Sequence, residues 1–194
     1  MARPSGRPIR DEVMTAARSL IQRGGVNGFS YGDLAKTLGI KAPSIHHHFP
    51  RKDDLVAAVT VQYREEFNGS AAVIADDPAL DGPTARIQAY AKLFAATAAA
   101  DRMCLCGAVS AEWVGVGDST REEVGGFFDD QVRWLRDQLR LGVADGSFRA
   151  ELNVDRSARL ILSALEGAIL LSRAGDRSDL ATTVCDAQLE LLAA

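Results

Sequence analysis

The chain has 194 residues, of which 47% are hydrophobic and 25% charged, an ordinary globular composition able to bury a sizeable core as one domain or as a small and a medium domain. A net charge of −4 excludes a uniformly basic nucleic-acid binder, but the charge is uneven: residues 1–52 hold nine Lys/Arg and three Asp/Glu, residues 53–194 thirteen and twenty-three. A basic head on an acidic body suits local phosphate binding without general stickiness.

Residues 1–8 form a Pro/Gly/Arg tail without a burial pattern, whose Arg3 and Arg7 could lie along DNA. Val13, Ala16, Ala17, Leu20 and Ile21 recur at helical spacing, and Gly24 and Gly25 end that first helix. Leu34, Ala35 and Leu38 share one face of a second helix, with Gly39 where a helix end wants positive φ. Ile40 anchors the turn. Pro43 opens a third, short helix, in which Ile45 and Phe49 point inward and Pro50 stops the chain. Two short helices joined by a tight turn predict a helix-turn-helix whose second helix can enter the major groove. Its outward positions hold Lys41, Ser44, His46 and His47, the hydrogen-bonding and partly cationic groups that bases and phosphates require. Three consecutive histidines on a helix point about 100° apart, so they do not close on one metal. Lys52, at the start of the next helix, would hold a phosphate along with backbone N–H groups.

That long helix is expected from Asp53 to about Ala75, with Leu55, Val56, Val59, Tyr63 and Phe67 inward, linking head and body. A break at 76–83 precedes a helix over about 84–99 bearing Ile87, Tyr90, Ala91 and Phe94. A short helix at 104–114 ends at Gly115 and Gly117. Ser119 with Glu122, or Thr120 with Glu123, fits a capping box opening a helix to about Ala144, with Val124, Phe127, Phe128, Leu135 and Leu139 inward. Asn153 or Asp155 caps the next, and a last helix begins near Ser178. These two final helices read as a dimer face through Ile161, Leu165, Ala168, Ile169, Leu189 and Leu192. One recognition helix contacts few bases, so two-fold pairing over a palindrome is expected.

Three cysteines and an N-terminus without an apolar core point to a reducing cytoplasm. The longest apolar run, 160–171, contains Glu166 and is too short to span a bilayer. Cys104 and Cys106 face different directions on a helix, which makes them a poor chelate and small buried hydrophobes, with a reactive thiol as the alternative. Gly115 and Gly117 lack the strand and third glycine of a dinucleotide site, and no nucleophile elbow, metal triad or P-loop is present, so neither an enzyme nor a cofactor is expected.

The stretch F-S-Y-x-D-L-A-x-x-L-G-I-K-A-P-S-I-H-H-H-F-P-x-K-x-x-L, Phe29 to Leu55, resembles the DNA-binding signature of the tetracycline-repressor (TetR) family. About a dozen positions match in register over roughly residues 10–55; the remainder matches in length and helical character only. Two positions depart: His46 stands where an aromatic Tyr is common, and Arg51 where a small polar residue usually precedes the Lys. The resemblance implies an all-α fold of about nine helices, with a DNA-binding head at 1–53 and an effector-binding and dimerisation body at 54–194. It implies a repressor that binds a palindromic operator on double-stranded DNA as a homodimer, using Tyr31 among its DNA contacts, and is released by a small, largely apolar effector. The implied pocket draws on Tyr90, Phe94, Met103, Cys104, Trp113, Phe128 and Trp134, with Glu112 at a polar end. The alternative is a regulator answering to cysteine modification or to a protein partner.

Overall fold

The computed structural model describes residues 8–175 and 177–194. Among them the chain forms nine α-helices: α1 Ile9–Gly24, α2 Tyr31–Leu38, α3 Ala42–His48, α4 Lys52–Asp76, α5 Gly82–Ala99, α6 Leu105–Ala111, α7 Asp118–Ala144, α8 Val154–Ser172 and α9 Leu180–Leu192. A single 3-10 turn, Trp113–Gly115, lies between α6 and α7, and one isolated β-bridge joins Phe148 to Ala193. The fold is all-α with a helix-turn-helix head, as expected. Arg3 and Arg7 lie outside the described residues.

Contacts gather the chain into two compact units. One takes in the chain to Arg64 together with Leu105–Val124; the other comprises Glu65–Cys104 and Gly125–Ala194. The sequence suggested one cut after residue 53. The first unit reaches further because Leu105, Cys106 and Val109 of α6 are buried and α6 packs on α1.

In the first unit α1, α2 and α3 pack around Val13, Ala17, Ile21, Leu34, Ile45 and Phe49, with Leu55, Val56 and Val59 from the start of α4 also buried. Ser30 caps α2 reciprocally: its Oγ accepts from Asp33 N at 3.2 Å, and its own N–H donates to Asp33 Oδ2 at 2.7 Å. The turn to α3 needs Gly39 at φ 64°, whose N–H closes back on Ala35 and Lys36. Before α4, Arg51 replaces the missing small cap by another route. Asp54 Oδ2 accepts from the Arg51 N–H at 3.0 Å and Oδ1 from its guanidinium at 3.0 Å.

In the second unit α5, α8 and α9 pack together. Asn153 caps α8 by accepting from Arg156 N at 3.0 Å. The capping box expected at residues 119–123 does not form. α7 begins at Asp118, which leaves Ser119 and Thr120 inside the helix, and the Thr120 hydroxyl turns to Asp53.

Candidate nucleic-acid interface and effector region

Helix α3 is fixed from beneath by Ile45, 0% exposed, and by Phe49, which follows it. With that face committed to the core, Lys41, His46 and His47 are left exposed, and Ser44 is half-buried. The outward set is therefore brought together along one short helix. Tyr31 serves it structurally: its hydroxyl donates to the Phe49 carbonyl at 2.9 Å, and the His46 ring packs edge-on at 4.7 Å. Burial, with a smaller contribution from the Asp54 charge, pushes the Tyr31 phenol up to about 12. Arg10 lies over the Phe49 ring at 5.4 Å.

Lys52 turns inward. Its ammonium donates to the Phe29 carbonyl and sits 4.1 Å from the Phe29 ring centroid. Partial burial holds its pKa below the usual lysine value, against the opposing charges of Glu112 and Asp33.

Two carboxylates fasten the 112–120 segment within the same unit, and sequence reading missed both. Glu112 Oε2 accepts from Asn27 N at 2.7 Å beside Gly25, where an added Cβ would lie 2.1 Å from Glu112 Oε1. Asp53 Oδ1 accepts from Gly117 N at 3.0 Å and from the Thr120 hydroxyl at 3.4 Å, and a Cβ on Gly117 would meet Asp53 Oδ2 at 2.0 Å. Glu112, expected at a polar end of the effector cavity, is thus bonded to the turn after α1. The signal in the sequence was the Gly24–Gly25 pair, which reads there simply as a helix stop. Gly25 also sits at φ 79°, ψ 175°, a backbone region essentially reserved for glycine. Gly25→Ala is therefore expected to destabilise the protein by about 1–3 kcal/mol from backbone strain, with further loss from displacing Glu112. Urea denaturation would read this as a lower midpoint at unchanged slope.

The residues expected to line an effector pocket divide. Tyr90 and Phe94 are buried, and Phe67 lies edge-on to Tyr90 at 5.8 Å, Phe94 at 5.6 Å and Phe127 at 5.3 Å. Trp134 stacks on Tyr90 at 4.7 Å, and Phe128 touches Phe127. Met103 is half-buried and Cys104 is buried. Trp113 belongs to the other unit, is 42% exposed and carries the Arg121 guanidinium over its ring. A directed chain of hydrogen bonds leaves the aromatic cluster. Tyr90 donates to Gln131 at 3.2 Å, Gln131 to Asn68 at 2.8 Å, and Asn68 to the Asp130 carboxylate at 2.8 Å. It ends in an open groove of about 350 Å³ lined by Asn68, Ala71, Asp130, Arg133, Trp134 and Asp137.

All three cysteines are buried, and none is in a disulfide. Of the residues expected to pair two copies, Ile161, Leu165, Ala168, Ile169 and Leu189 already lie in the interior of the single chain, and Leu192 is half-buried. The same helices turn Leu160, Leu170, Leu171 and Leu191 outward, 57–73% exposed. Among the described residues, no group of three or more His, Cys, Asp or Glu is placed to hold a metal ion, and no helix is long and apolar enough to cross a membrane.

Comparison with known proteins bears on the whole chain. The family model of bacterial regulatory proteins, tetR family, matches residues 13–59, and that of the tetracyclin repressor-like C-terminal domain matches residues 83–187. The chain is 29% identical over 156 residues to the HTH-type transcriptional repressor KstR2 of Mycolicibacterium smegmatis, covering 78% of this chain and 73% of that protein. Its fold is similar to a TetR-family transcriptional regulator from Agrobacterium tumefaciens, with a TM-score of 0.89 and 30% identity over 95% of this chain and 97% of that one. It is also similar to a TetR transcriptional regulator from Legionella pneumophila, with a TM-score of 0.85 and 25% identity over 96% and 98%.

Proposed function

The chain belongs to the tetR family of bacterial regulatory proteins, and on that premise we propose that it is a cytoplasmic, homodimeric repressor released from a palindromic operator by a small, largely apolar effector. A regulator of this family is a transcription factor and not an enzyme. The observation that carries the reading is α3: Ile45 and Phe49 seal its inner side, while Lys41, His46 and His47 stand exposed on a positively charged head. Lys41, at the N-cap of α3, and Ser44 in its first turn then meet bases or phosphates, and His46 and His47 follow one turn on. Tyr31 acts by holding α3 against α2. Lys52 reaches a phosphate only if its ammonium turns from the Phe29 carbonyl, so its contribution to affinity is the smaller one.

The head of this proposal is residues 1–53, with Arg3 and Arg7 following the DNA, and the body is residues 54–194. Two copies pair through α8 and α9, by way of the outward Leu160, Leu171 and Leu191, while the buried leucines and isoleucines support that surface from behind. The effector is held in the body, near the Tyr90, Phe94 and Trp134 cluster. Buried thiols favour this reading over one in which cysteine modification is the signal.

Genome-wide mapping of bound DNA tests the proposal. It should return a two-fold symmetric sequence with half-sites about one helical turn apart. Recovery of no symmetric sequence would overturn it.

A further inference from the structure

Helix α8 presents an apolar face of Ile161, Leu162, Leu165, Ala168 and Ile169 to the interior, and Glu166 interrupts that helix with a carboxyl group. Its Oε1 is sealed from solvent and has no hydrogen-bond partner. The neighbourhood is short of donors. Cys104 offers its thiol, a weak donor. Tyr90 on α5, whose phenol feels the Glu166 charge, already donates its hydrogen to Gln131. Cys185 on α9, which acts on the same phenol, turns its thiol to the Ile87 carbonyl at 4.0 Å. A buried carboxyl with an empty acceptor, beside a tyrosine and a cysteine whose hydrogens go elsewhere and a second thiol that is only a weak donor, is a costly arrangement that a ligand can relieve.

We infer that Glu166 is the polar anchor of the effector site and that it takes an apolar molecule ending in a hydrogen-bond donor, a protonated amine being the strongest form. The inference rests on the reading of the body as a small-molecule receptor. Apolar side chains on α8 suit the ligand's hydrocarbon part, and the open Oε1 accepts from its head. Once Glu166 is ionised a carboxylate-headed molecule is rejected there, because it brings acceptors and a like charge to a site short of donors. Burial pushes the Glu166 carboxyl up to about 7, so a cationic head has to ionise it on binding.

Isothermal calorimetry with decylamine, decanol and decanoate on the full-length protein tests this, at pH 6 and pH 8. The amine stays protonated throughout, so its affinity should rise about tenfold between the two pH values, as the ionised fraction of Glu166 rises from about a tenth to about nine-tenths. Decanol should bind without that slope, and at pH 8 decanoate should bind at least tenfold more weakly than the amine. In Glu166→Gln the amine should lose both affinity and slope. A flat amine profile in the wild-type protein, or decanoate binding as tightly as decylamine at pH 8, would overturn the inference without recourse to any variant. If decanoate released the operator and decylamine did not, the inference would fall and the ligand-responsive reading would stand. If no small molecule moved operator affinity, both would fall.

Discussion

Phe67→Ala is expected to destabilise the protein by about 3–5 kcal/mol, the largest loss for any single substitution considered. The ring is the meeting point of three edge-to-face contacts, with Tyr90, Phe94 and Phe127 all within 5.8 Å of its centroid. Removing it deletes the transfer free energy of a buried aromatic and leaves a cavity. The surrounding rings cannot collapse into that space freely, since Trp134 is stacked on Tyr90 and is tied by its indole N–H to the Ala71 carbonyl at 3.0 Å. Each aromatic pair also contributes about 0.5–1.5 kcal/mol beyond its buried area. Urea unfolding followed by circular dichroism gives the number; a loss under 1 kcal/mol would mean that the cluster is a loosely filled pocket and not a packed core.

Glu166→Gln should reverse its effect on stability with pH. In the folded chain burial raises the carboxyl from an ordinary 4.5 to about 7, opposed by the Cys104 thiol. Below the unfolded value both states hold the proton, and the folded protein keeps the full benefit. Between about pH 4.5 and 7 the unfolded chain ionises while the folded one does not, so stability falls as pH rises and levels off above the folded value. The wild-type protein should therefore lose about 2–3 kcal/mol more than the glutamine variant between pH 5 and pH 8. The two proteins measured side by side in urea at both pH values isolate this one group from the others that titrate. A parallel pH dependence would show that the carboxyl is ionised and solvated in the native state.

Much of this architecture is legible from residue spacing because helices write their period into the chain. Val13, Ala17 and Ile21 predict a buried face of α1, and Leu34 with Gly39 and Ile45 with Phe49 predict the turn and orientation of α3; the structure buries these apolar residues. What spacing does not carry is the partner of a long polar side chain. Glu112 on Asn27, Asp53 on Gly117 and Lys52 on Phe29 join residues far apart in sequence, and each changes what the side chain does. The same limit applies to α8 and α9. Periodicity marks Ile161, Leu165 and Ala168 as one face, but a face packed against the chain's own α5 and a face kept for a second copy look alike until the fold places them. Glu166 was visible only as an interruption in an apolar run, because nothing local reveals that its buried Oε1 has no donor.

The central claim is that the outward side of α3 meets DNA. Fluorescence anisotropy on the mapped operator, repeated over a range of salt concentrations for the wild-type protein and for His47→Glu, tests it most directly. His47 is exposed and its ring meets the likewise exposed His48 ring at 5.2 Å, outside the buried core, so the variant should fold normally while placing a negative charge against the phosphates. The wild-type protein should bind with affinity that falls steeply and linearly on a log–log plot of salt, and His47→Glu should lose at least about a hundredfold at equal salt, on the order of two contacts' worth of free energy. Equal binding by both proteins, or wild-type binding indifferent to salt, would contradict the account.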